Sequence, residues 1–457
     1  MNVGKIVFAQ IMQFIPRRDF NDIVAKYRGN YRVRNLTCHD QLQVMCLAQY
    51  ADKNSLRDIE ASLNALAVTH KLYHCGISYA VPRNTLAKAN ELRDWHIYAE
   101  LGQVLIKKVR PLYAKDSFRL DIDNMVYAFD SSTISLCLKL CPWAKFRKKK
   151  GGIKLEAAAK LPPKTGSSSK SLTICNLRSS LMRIKAEFSI FYPNFLGGNK
   201  CLLTVFVKKY FGSSLIKLHT QLDLRGNLPV FVLLTKASVH DVNALDEICV
   251  EMGAIYLIDK GYVDFNRLFN VIHKNGAFFV TRAKDNMQYE IVKSMPVDKQ
   301  TGVISDEIVR LTKKNSKQKY PEEFRMVVYE DFATGNLYRF ITNHLGYDAL
   351  TIAELYRERW NVELFFKWIK QHLHIKSFYG TSENAVYTQI WIAVCAFLLL
   401  AIAKKHMHIE EPSLYMISQT IGTMLFERIP IPELFNKPII NVPKDDGQLD
   451  LFRDLKS

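Results

Sequence analysis

Apolar residues recur at helical spacing through the first 95 residues of the chain. The segments "KIVFAQIMQFI", "HDQLQVMCLAQYA" and "SLRDIEASLNAL" place them every three or four positions, which predicts amphipathic helices. Ser55 is the first residue of the third segment, directly before Leu56, where a helix N-cap is expected. We therefore expect residues 1–95 to form a helical region.

Shorter apolar runs further along the chain predict strands. "MVYAFD" and "AIYLID" end at Asp130 and Asp259 respectively, after residues that suit a buried strand. Between them, "KLHTQLDL", the turn "RGN" and "LPVFVLLTKAS" predict a β-hairpin, and "HDVNALDEICVEMG" predicts a helix that ends at Gly253. Alternating segments from 284 to 342 predict a small antiparallel sheet.

These patterns predict an α/β protein with more than one globular part. The expected parts are a helical basic region at 1–95, the first part of an α/β core at 96–283, a β-rich insertion at 284–342, a helical remainder of the core at 343–410 and a C-terminal tail at 411–457.

Residues 156–218 interrupt the predicted core. "GGIKL" ends at Leu155, and the tripeptide Ile-Lys-Leu recurs at 216–218, directly before "HTQLDL". The interval begins with the linker-like "EAAAKLPPKTGSSSKS" and continues without clear periodicity. We interpret it as an extraneous insertion flanked by a duplicated tripeptide; chance repetition of a common tripeptide is the alternative.

The charge of the chain favours a polyanionic partner, and nucleic acid is the commonest one for a protein this basic. The formal net charge is +19 and the pI is about 9.4. The stretch "KYRGNYRVRN", residues 26–35, interleaves arginines with tyrosines, which suits phosphate and base contacts; a solvated loop is an equally ordinary interpretation.

Cysteine usage and hydropathy point to a cytoplasmic protein without a membrane anchor. The nine cysteines have no regular spacing and show neither a disulfide framework nor paired zinc ligands. The N-terminus lacks a signal-peptide pattern. The longest apolar run, Ile390 to Ala403, is too short to cross a bilayer and predicts a buried helix.

The segment "YRERWNVELFFKWIK", residues 356–370, carries a polar stripe on an otherwise apolar helix. Tyr356, Arg359, Glu363 and Lys370 share one face if the segment is a single α-helix. An acid flanked by two cations and a phenol suits a phosphate-bearing ligand. A buried Glu–Arg pair that stabilises the helix is the structural alternative.

Three carboxylates form the candidate catalytic constellation. Asp130 and Asp259 follow predicted strands, and Glu363 lies on the predicted helix. Two-metal phosphoryl transfer requires such a cluster, because Mg²⁺ prefers oxygen ligands and carboxylates hold the two ions close together.

With these residues in place, the sequence resembles bacterial insertion-sequence transposases of the DDE type, in particular the insertion-sequence-four group. Its Tyr-x2-Arg-x3-Glu-x6-Lys signature matches Tyr356, Arg359, Glu363 and Lys370, and "FDSST" and "IDKGY" resemble the segments around its two catalytic aspartates. The resemblance covers most of residues 110–405.

The resemblance implies a ribonuclease-H-like mixed-sheet core with a β-rich insertion subdomain and a helical N-terminal DNA-binding domain. It implies that Asp130, Asp259 and Glu363 hold two Mg²⁺ ions, which Mn²⁺ can replace, and that Tyr356, Arg359 and Lys370 contact DNA. The implied partners are the terminal inverted repeats and target DNA, which a homodimer would bind. The implied location is the bacterial cytoplasm, with the protein at the nucleoid when it is bound to DNA.

Three questions stay open at this stage. Many relatives form a DNA hairpin and stack a flipped base on an aromatic residue of the β insertion. The insertion here has no tryptophan, and its candidates are Tyr289, Tyr320, Phe324, Tyr329, Phe332 and Tyr338. The chain is also compatible with a DNA-binding remnant whose catalysis is lost through 156–218, or with a metal nuclease without strand transfer.

Overall fold

A computed structural model gives the fold. The described residues are 4–116, 118–136, 141, 143, 214–372, 378–411 and 413–435. The predicted insertion therefore lies outside the described residues up to position 213, and so does the C-terminal tail beyond 435.

The helical prediction for the first 95 residues is confirmed. The helices are α1 (Val7–Met12), α2 (Arg17–Lys26), α3 (Cys38–Tyr50), α4 (Leu56–Val68) and α5 (Arg83–Leu92), followed by α6 (His96–Tyr113). Local hydrogen bonds determine where two of them begin. Thr37 and Asp40 form a capping box at α3, and the Ser55 hydroxyl accepts the Asp58 N–H at the start of α4.

In the described part of the chain, nine strands form one mixed sheet. They are β1 (Val126–Leu136), β2 (Ser214–Asp223), β3 (Leu228–Lys236), β4 (Ile255–Ile258), β5 (Phe278–Arg282), β6 (Tyr289–Met295), β7 (Val303–Leu311), β8 (Phe324–Asp331) and β9 (Asn336–Thr342). Their spatial order is β3-β2-β1-β4-β5-β9-β8-β7-β6. The α/β prediction with a mixed sheet and a helical N-terminal region is confirmed.

The strands of residues 284–342 do not form a separate sheet. β6 to β9 are antiparallel to one another, as predicted, but β9 also pairs antiparallel with β5 through Val280 and Thr342. This pairing extends the core sheet, because it satisfies an edge of β5 that a detached insertion would leave open.

The predicted hairpin is present, with an earlier start than expected. β2 begins at Ser214, so residues 214–218 belong to a strand and not to an excursion. The strand thus overlaps the last five residues of the interval 156–218, and the interpretation of that interval as an insertion stays a prediction. Because Ile-Lys-Leu occurs at both junctions, removal of 153–215 produces the same chain as removal of 156–218, and in that chain Ile-Lys-Leu stands directly before His219.

The helix predicted for residues 240–253 is wrong. Only Asp241–Asp246 forms a helical turn, of the 3₁₀ type. Arg267 binds both carboxylate oxygens of Asp246 at 2.8 and 2.7 Å, so tertiary contacts override the local helical pattern. Gly253 does adopt the left-handed conformation, with φ +77°, and donates its N–H to the carbonyl of Gly276.

Further α-helices follow in the described part of the chain. They are α7 (Phe265–Arg267), α8 (Lys314–Lys319), α9 (Ala349–Glu358), α10 (Trp360–His372), α11 (Glu383–His406) and α12 (Leu414–Met424). Helix α11 is the central core helix and packs against α1, α3, α5 and α6. The Tyr50 and Tyr113 hydroxyls donate to the α11 carbonyls of Ala396 and Ala401 at 2.7 and 2.9 Å.

Among the described residues, α11 is the one helix that is long and apolar enough to cross a membrane. Its apolar stretch is entirely buried inside the protein, which is typical of a core helix and agrees with the predicted role of Ile390 to Ala403.

A buried ion pair joins β7 and β8. Arg325 donates from Nε and Nη2 to the two oxygens of Asp306, both at 2.7 Å, and its remaining terminal nitrogen donates to the carbonyl of Tyr347. The two charged side chains are 3% and 6% exposed. Loss of either partner would leave an uncompensated charge in a low-dielectric environment.

Asp306→Ala is expected to lower the free energy of unfolding by about 3–5 kcal/mol, because it leaves the buried Arg325 guanidinium without its carboxylate partner. Urea denaturation of the full chain measures this. The matched control is Glu323→Ala, which removes the partner of Arg310 from a more exposed ion pair and is expected to cost at most about 1 kcal/mol. Equal losses in the two variants would contradict this assignment.

Candidate active site

Three neighbouring parallel strands bring charged residues to one edge of the sheet. β1 pairs with β4, and the register sets Phe129 beside Ile258, one residue before Asp130 and Asp259. β4 pairs in turn with β5, which ends at Arg282. Because the strands are parallel and in register, their carboxyl ends share one edge, which is where ligands bind in such sheets.

The two aspartates differ in their local structure. Asp130 was predicted to end its strand, but β1 continues to Leu136. Its Oδ1 accepts the Ser131 N–H at 2.7 Å. Asp259 does follow its strand directly, and its Oδ2 accepts the Gly261 N–H at 3.0 Å. Each aspartate therefore keeps one oxygen bound to the backbone and the other free to interact across the site.

The sequence predicts that the polar signature lies on one continuous helix, and this prediction is wrong. Arg359 separates α9 from α10, with φ −53° and ψ −30°. Its N–H bonds to the carbonyl of Tyr356, three residues back, instead of four. The backbone nevertheless stays in the helical region, so Glu363 follows about one turn later on the same face.

The guanidinium of Arg359 joins the three predicted catalytic carboxylates. Nη1 donates to Asp130 Oδ2 and Nη2 to Glu363 Oε1, both at 2.9 Å. Nη2 also lies 4.0 Å from Asp259 Oδ1. The Arg359 side chain is only 10% exposed. Two strands and a helix thus bring the three acids around one internal cation.

The guanidinium stands where a metal ion would be expected. As the side chains stand, no three His, Cys, Asp or Glu residues of the described chain are arranged to hold a metal ion. The donor chemistry nevertheless fits a divalent cation, since carboxylate oxygens are the ligands that Mg²⁺ prefers and a monovalent cation already binds among them.

The electrostatics show that one guanidinium does not fully compensate these acids. Burial, together with the charges of Asp259 and Glu363, raises the pKa of Asp130 to about 6, although the Ser131 N–H and Arg359 act to lower it. Burial opposes the charge of Arg359, yet its neighbours, including Asp130, raise its pKa. The cluster therefore has the charge balance of a site that takes additional positive charge.

A cavity of about 390 Å³ opens beside Arg359. Its lining residues are Arg282, Tyr329, Asp331, Tyr338, Phe340, Ala353, Tyr356, Arg357, Arg359 and Trp360. Three buried polar atoms of this lining make no hydrogen bond of normal geometry, namely Arg282 Nε, Arg359 Nε and Tyr356 Oη. Because buried donors rarely stay unpaired, these atoms indicate a site for an anionic ligand.

Of the aromatic candidates for base stacking, two line this cavity, Tyr329 and Tyr338. Tyr320 and Phe324 are 0% and 1% exposed within the core and are excluded as stacking surfaces. Phe332 is 66% exposed and is not part of the cavity lining.

Lys370 lies on α10, seven residues beyond Glu363, and its side chain is partly exposed. Seven residues are about two helical turns, or roughly 10 Å along the axis. Its role toward DNA stays a prediction, as do those of Tyr356 and Arg359.

Arg282 is the residue of the site that sequence reasoning missed. Its Nη2 lies 3.7 Å from Asp259 Oδ1, and its guanidinium lies over the Tyr356 ring at 5.9 Å from the centroid. The segment "FFVTR" does indicate it, because this apolar strand ends in a charged residue, as do the segments that end at Asp130 and Asp259.

Two regions of the chain match known families. Residues 207–399 match the family described as "Transposase DDE domain", and residues 3–78 match "Domain of unknown function (DUF4372)". The first range contains Asp259 and Glu363 and begins after Asp130.

Curated relatives carry transposase names. The chain is 36% identical over 230 residues to "Putative transposase y4zB" of Sinorhizobium fredii, covering 50% of this chain and 64% of that protein. It is 33% identical over 187 residues to "Probable transposase for insertion sequence element IS5377" of Geobacillus stearothermophilus, covering 40% and 48%. It is 24% identical over 218 residues to "Putative transposase for insertion sequence element IS4SA" of Synechocystis, covering 47% and 57%.

The chain thus spans 48–64% of the length of these relatives. Residues 207–399 are thus similar to a transposase DDE domain, and the chain is similar to proteins that are named as insertion-sequence transposases.

Proposed function

We propose that this protein is a DNA transposase of the insertion-sequence-four group, which binds terminal inverted repeats, cuts the element ends and joins them to target DNA. The observation that carries the proposal is the meeting of Asp130, Asp259 and Glu363 around one guanidinium, in a chain whose residues 207–399 match a transposase DDE domain.

The three carboxylates are the proposed holders of two Mg²⁺ ions, for which Mn²⁺ can substitute. Bound there, the ions would activate the attacking water or 3′-hydroxyl and stabilise the leaving oxygen. The chain itself holds these acids close together through strand register and the α9–α10 junction, and Ser131 and Gly261 orient the two aspartates through backbone hydrogen bonds.

Phosphate binding is the proposed role of the cations and the phenol beside the acids. Arg282 and Tyr356 line the cavity with unpaired polar atoms, and Lys370 supplies a point charge further along α10. If a DNA hairpin forms, Tyr329 and Tyr338 are the proposed stacking residues for a flipped base, because they line the same cavity.

A basic loop in the N-terminal region is the proposed contact to the inverted repeat. Arg28, Arg32 and Arg34 are exposed and pair with no carboxylate of the described chain. Arg28 and Arg32 adopt positive φ values of 51° and 56°, which ordinary side chains disfavour. The Asn30 side chain fixes the loop by accepting the Cys38 N–H at 2.8 Å.

The proposed partners are the inverted repeats and target DNA, held by a homodimer in the bacterial cytoplasm. A second candidate function is a catalytically impaired DNA-binding remnant. It is favoured by the interval 156–218, because the match to the DDE domain begins only at residue 207 while Asp130 lies ahead of the interval. A nuclease without strand transfer is distinguished by testing whether a pre-cleaved end is joined to a second duplex.

Asp130→Asn, Asp259→Asn and Glu363→Gln are each expected to reduce Mg²⁺-dependent cleavage of end DNA by at least about 10³-fold, because each removes a charged ligand. Binding to the same duplex should persist. The substrate is a duplex copied from the inverted repeats flanking the gene. Asp285→Asn is the matched control, since that carboxylate is 84% exposed and pairs with Lys260. Retained cleavage in any of the three variants would contradict the assignment.

The double variant Arg28→Gln/Arg32→Gln is expected to weaken end binding and to reduce its salt dependence by roughly two units of slope, one for each lost phosphate contact. Lys314→Gln/Lys317→Gln on α8 removes the same charge from another exposed site and serves as the control. Fluorescence anisotropy over a salt series measures both. Identical slopes for the two double variants would reject the loop as a DNA contact.

Deletion of residues 153–215 is expected to preserve or improve solubility and to raise DNA cleavage. It keeps residues 216–223 of β2 and removes only Ser214 and Leu215 from the start of that strand. Loop closure costs only about 0.6 kcal/mol for each doubling of loop length. Cleavage by the deletion variant, with Asp259→Asn in the same background as control, measures this. A deletion variant that does not fold would show that the segment is integral, and a folded but inactive one would favour the remnant.

A further inference from the structure

We propose that Arg359 is an internal counter-cation that holds the three carboxylates together in the metal-free protein and is displaced when a divalent ion binds. The released guanidinium then becomes available to a DNA phosphate in the adjoining cavity. The proposal rests on the proposed function and concerns how the same site is regulated.

Like charges brought together this closely need a cation. The carboxylates of Asp130, Asp259 and Glu363 are only 17%, 32% and 35% exposed, so water screens their repulsion incompletely. Arg359 gives one terminal nitrogen to Asp130 and the other to Glu363. A divalent ion among the same oxygens carries twice the charge, so the two cations compete for one place.

The guanidinium of Arg359 does not use all of its hydrogen-bond donors in its present position. Its Nε is buried and has no hydrogen-bond partner. An arginine in a permanent structural role usually has all its donors paired, because a buried unpaired donor costs about 1–3 kcal/mol. The observed arrangement therefore suits a side chain with a second binding position.

A second position adjoins the first. Arg359 lines the cavity of about 390 Å³, together with Arg282 and Tyr356, whose Nε and Oη are also unpaired. A phosphate in this cavity would meet donors from all three side chains. Because Arg359 already lines this cavity, the proposed movement is a change of its side-chain rotamer.

Binding of Mn²⁺ to the metal-free full chain, without DNA, tests the displacement. Free Mn²⁺ is followed by electron paramagnetic resonance. If the guanidinium competes with the metal, Arg359→Gln should bind Mn²⁺ at least tenfold more tightly than the unchanged chain, equivalent to about 1.4 kcal/mol. Equal or weaker binding by a folded Arg359→Gln variant would overturn the proposal.

Two controls locate the effect. Arg357→Gln removes an exposed arginine two residues away, whose guanidinium donates to the Tyr329 hydroxyl at 3.5 Å, and should leave Mn²⁺ affinity within twofold. Arg359→Gln/Asp259→Asn should lose the tightening, because the metal then lacks one carboxylate. Persistence of the tightening in that double variant would place the Mn²⁺ elsewhere and overturn the proposal.

Arg359→Lys keeps the test decisive if Arg359→Gln does not fold. One ammonium group cannot reproduce the two-pronged contact to Asp130 and Glu363, so this variant should show a smaller tightening. Unchanged or weaker Mn²⁺ binding by Arg359→Lys would contradict the displacement.

The release of the guanidinium is tested with DNA and Ca²⁺. The salt dependence of end-DNA binding should steepen by roughly one unit when Ca²⁺ replaces EDTA for the unchanged chain, and not for Arg359→Gln. The same slope change in both proteins would overturn the release. A complete lack of DNA binding would contradict the proposed function, while the Mn²⁺ comparison would still decide the displacement.

Discussion

The contact of one guanidinium with three carboxylates is the interaction on which the arrangement of this site depends. Two of the acids come from neighbouring strands and the third from a helix some hundred residues later, so nothing local holds them together. Without a cation among them, mutual repulsion in a partly buried environment would favour separation. Arg359 supplies that cation from within the chain, and its position between two helices lets both of its terminal nitrogens reach the acids.

The three acids could be identified from sequence because each follows a strong local pattern. Asp130 and Asp259 come at or after short apolar strands, and parallel pairing makes equivalent positions of such strands neighbours. Glu363 was identified through its spacing from Arg359 on a helical face. The N-cap at Ser55 was predictable for the same reason, since capping depends on residues within one turn.

What could not be predicted depends on contacts between distant segments. The pattern of residues 240–253 is helical, but Arg267 binds Asp246 and the segment forms only a short 3₁₀ helix. The antiparallel arrangement of the strands after residue 284 is predictable from their alternating pattern. Their connection to the core sheet depends on the pairing of β9 with β5, which no sequence pattern shows. The spacing on the helix indicates a pair between Arg359 and Glu363. The contact of Arg359 with Asp130 joins residues more than two hundred positions apart, and no local pattern indicates it.

Helix α11 has a consequence for the order in which the protein is made. The helices α1, α3 and α5 bury apolar faces against a partner that ends at His406, so the ribosome completes their core only after roughly three hundred further residues. During that interval the nascent N-terminal helices expose surface that the finished protein hides. The N-terminal helices therefore complete their packing only after α11 has been synthesised. A truncated product without α11 would leave their apolar faces exposed and prone to aggregation.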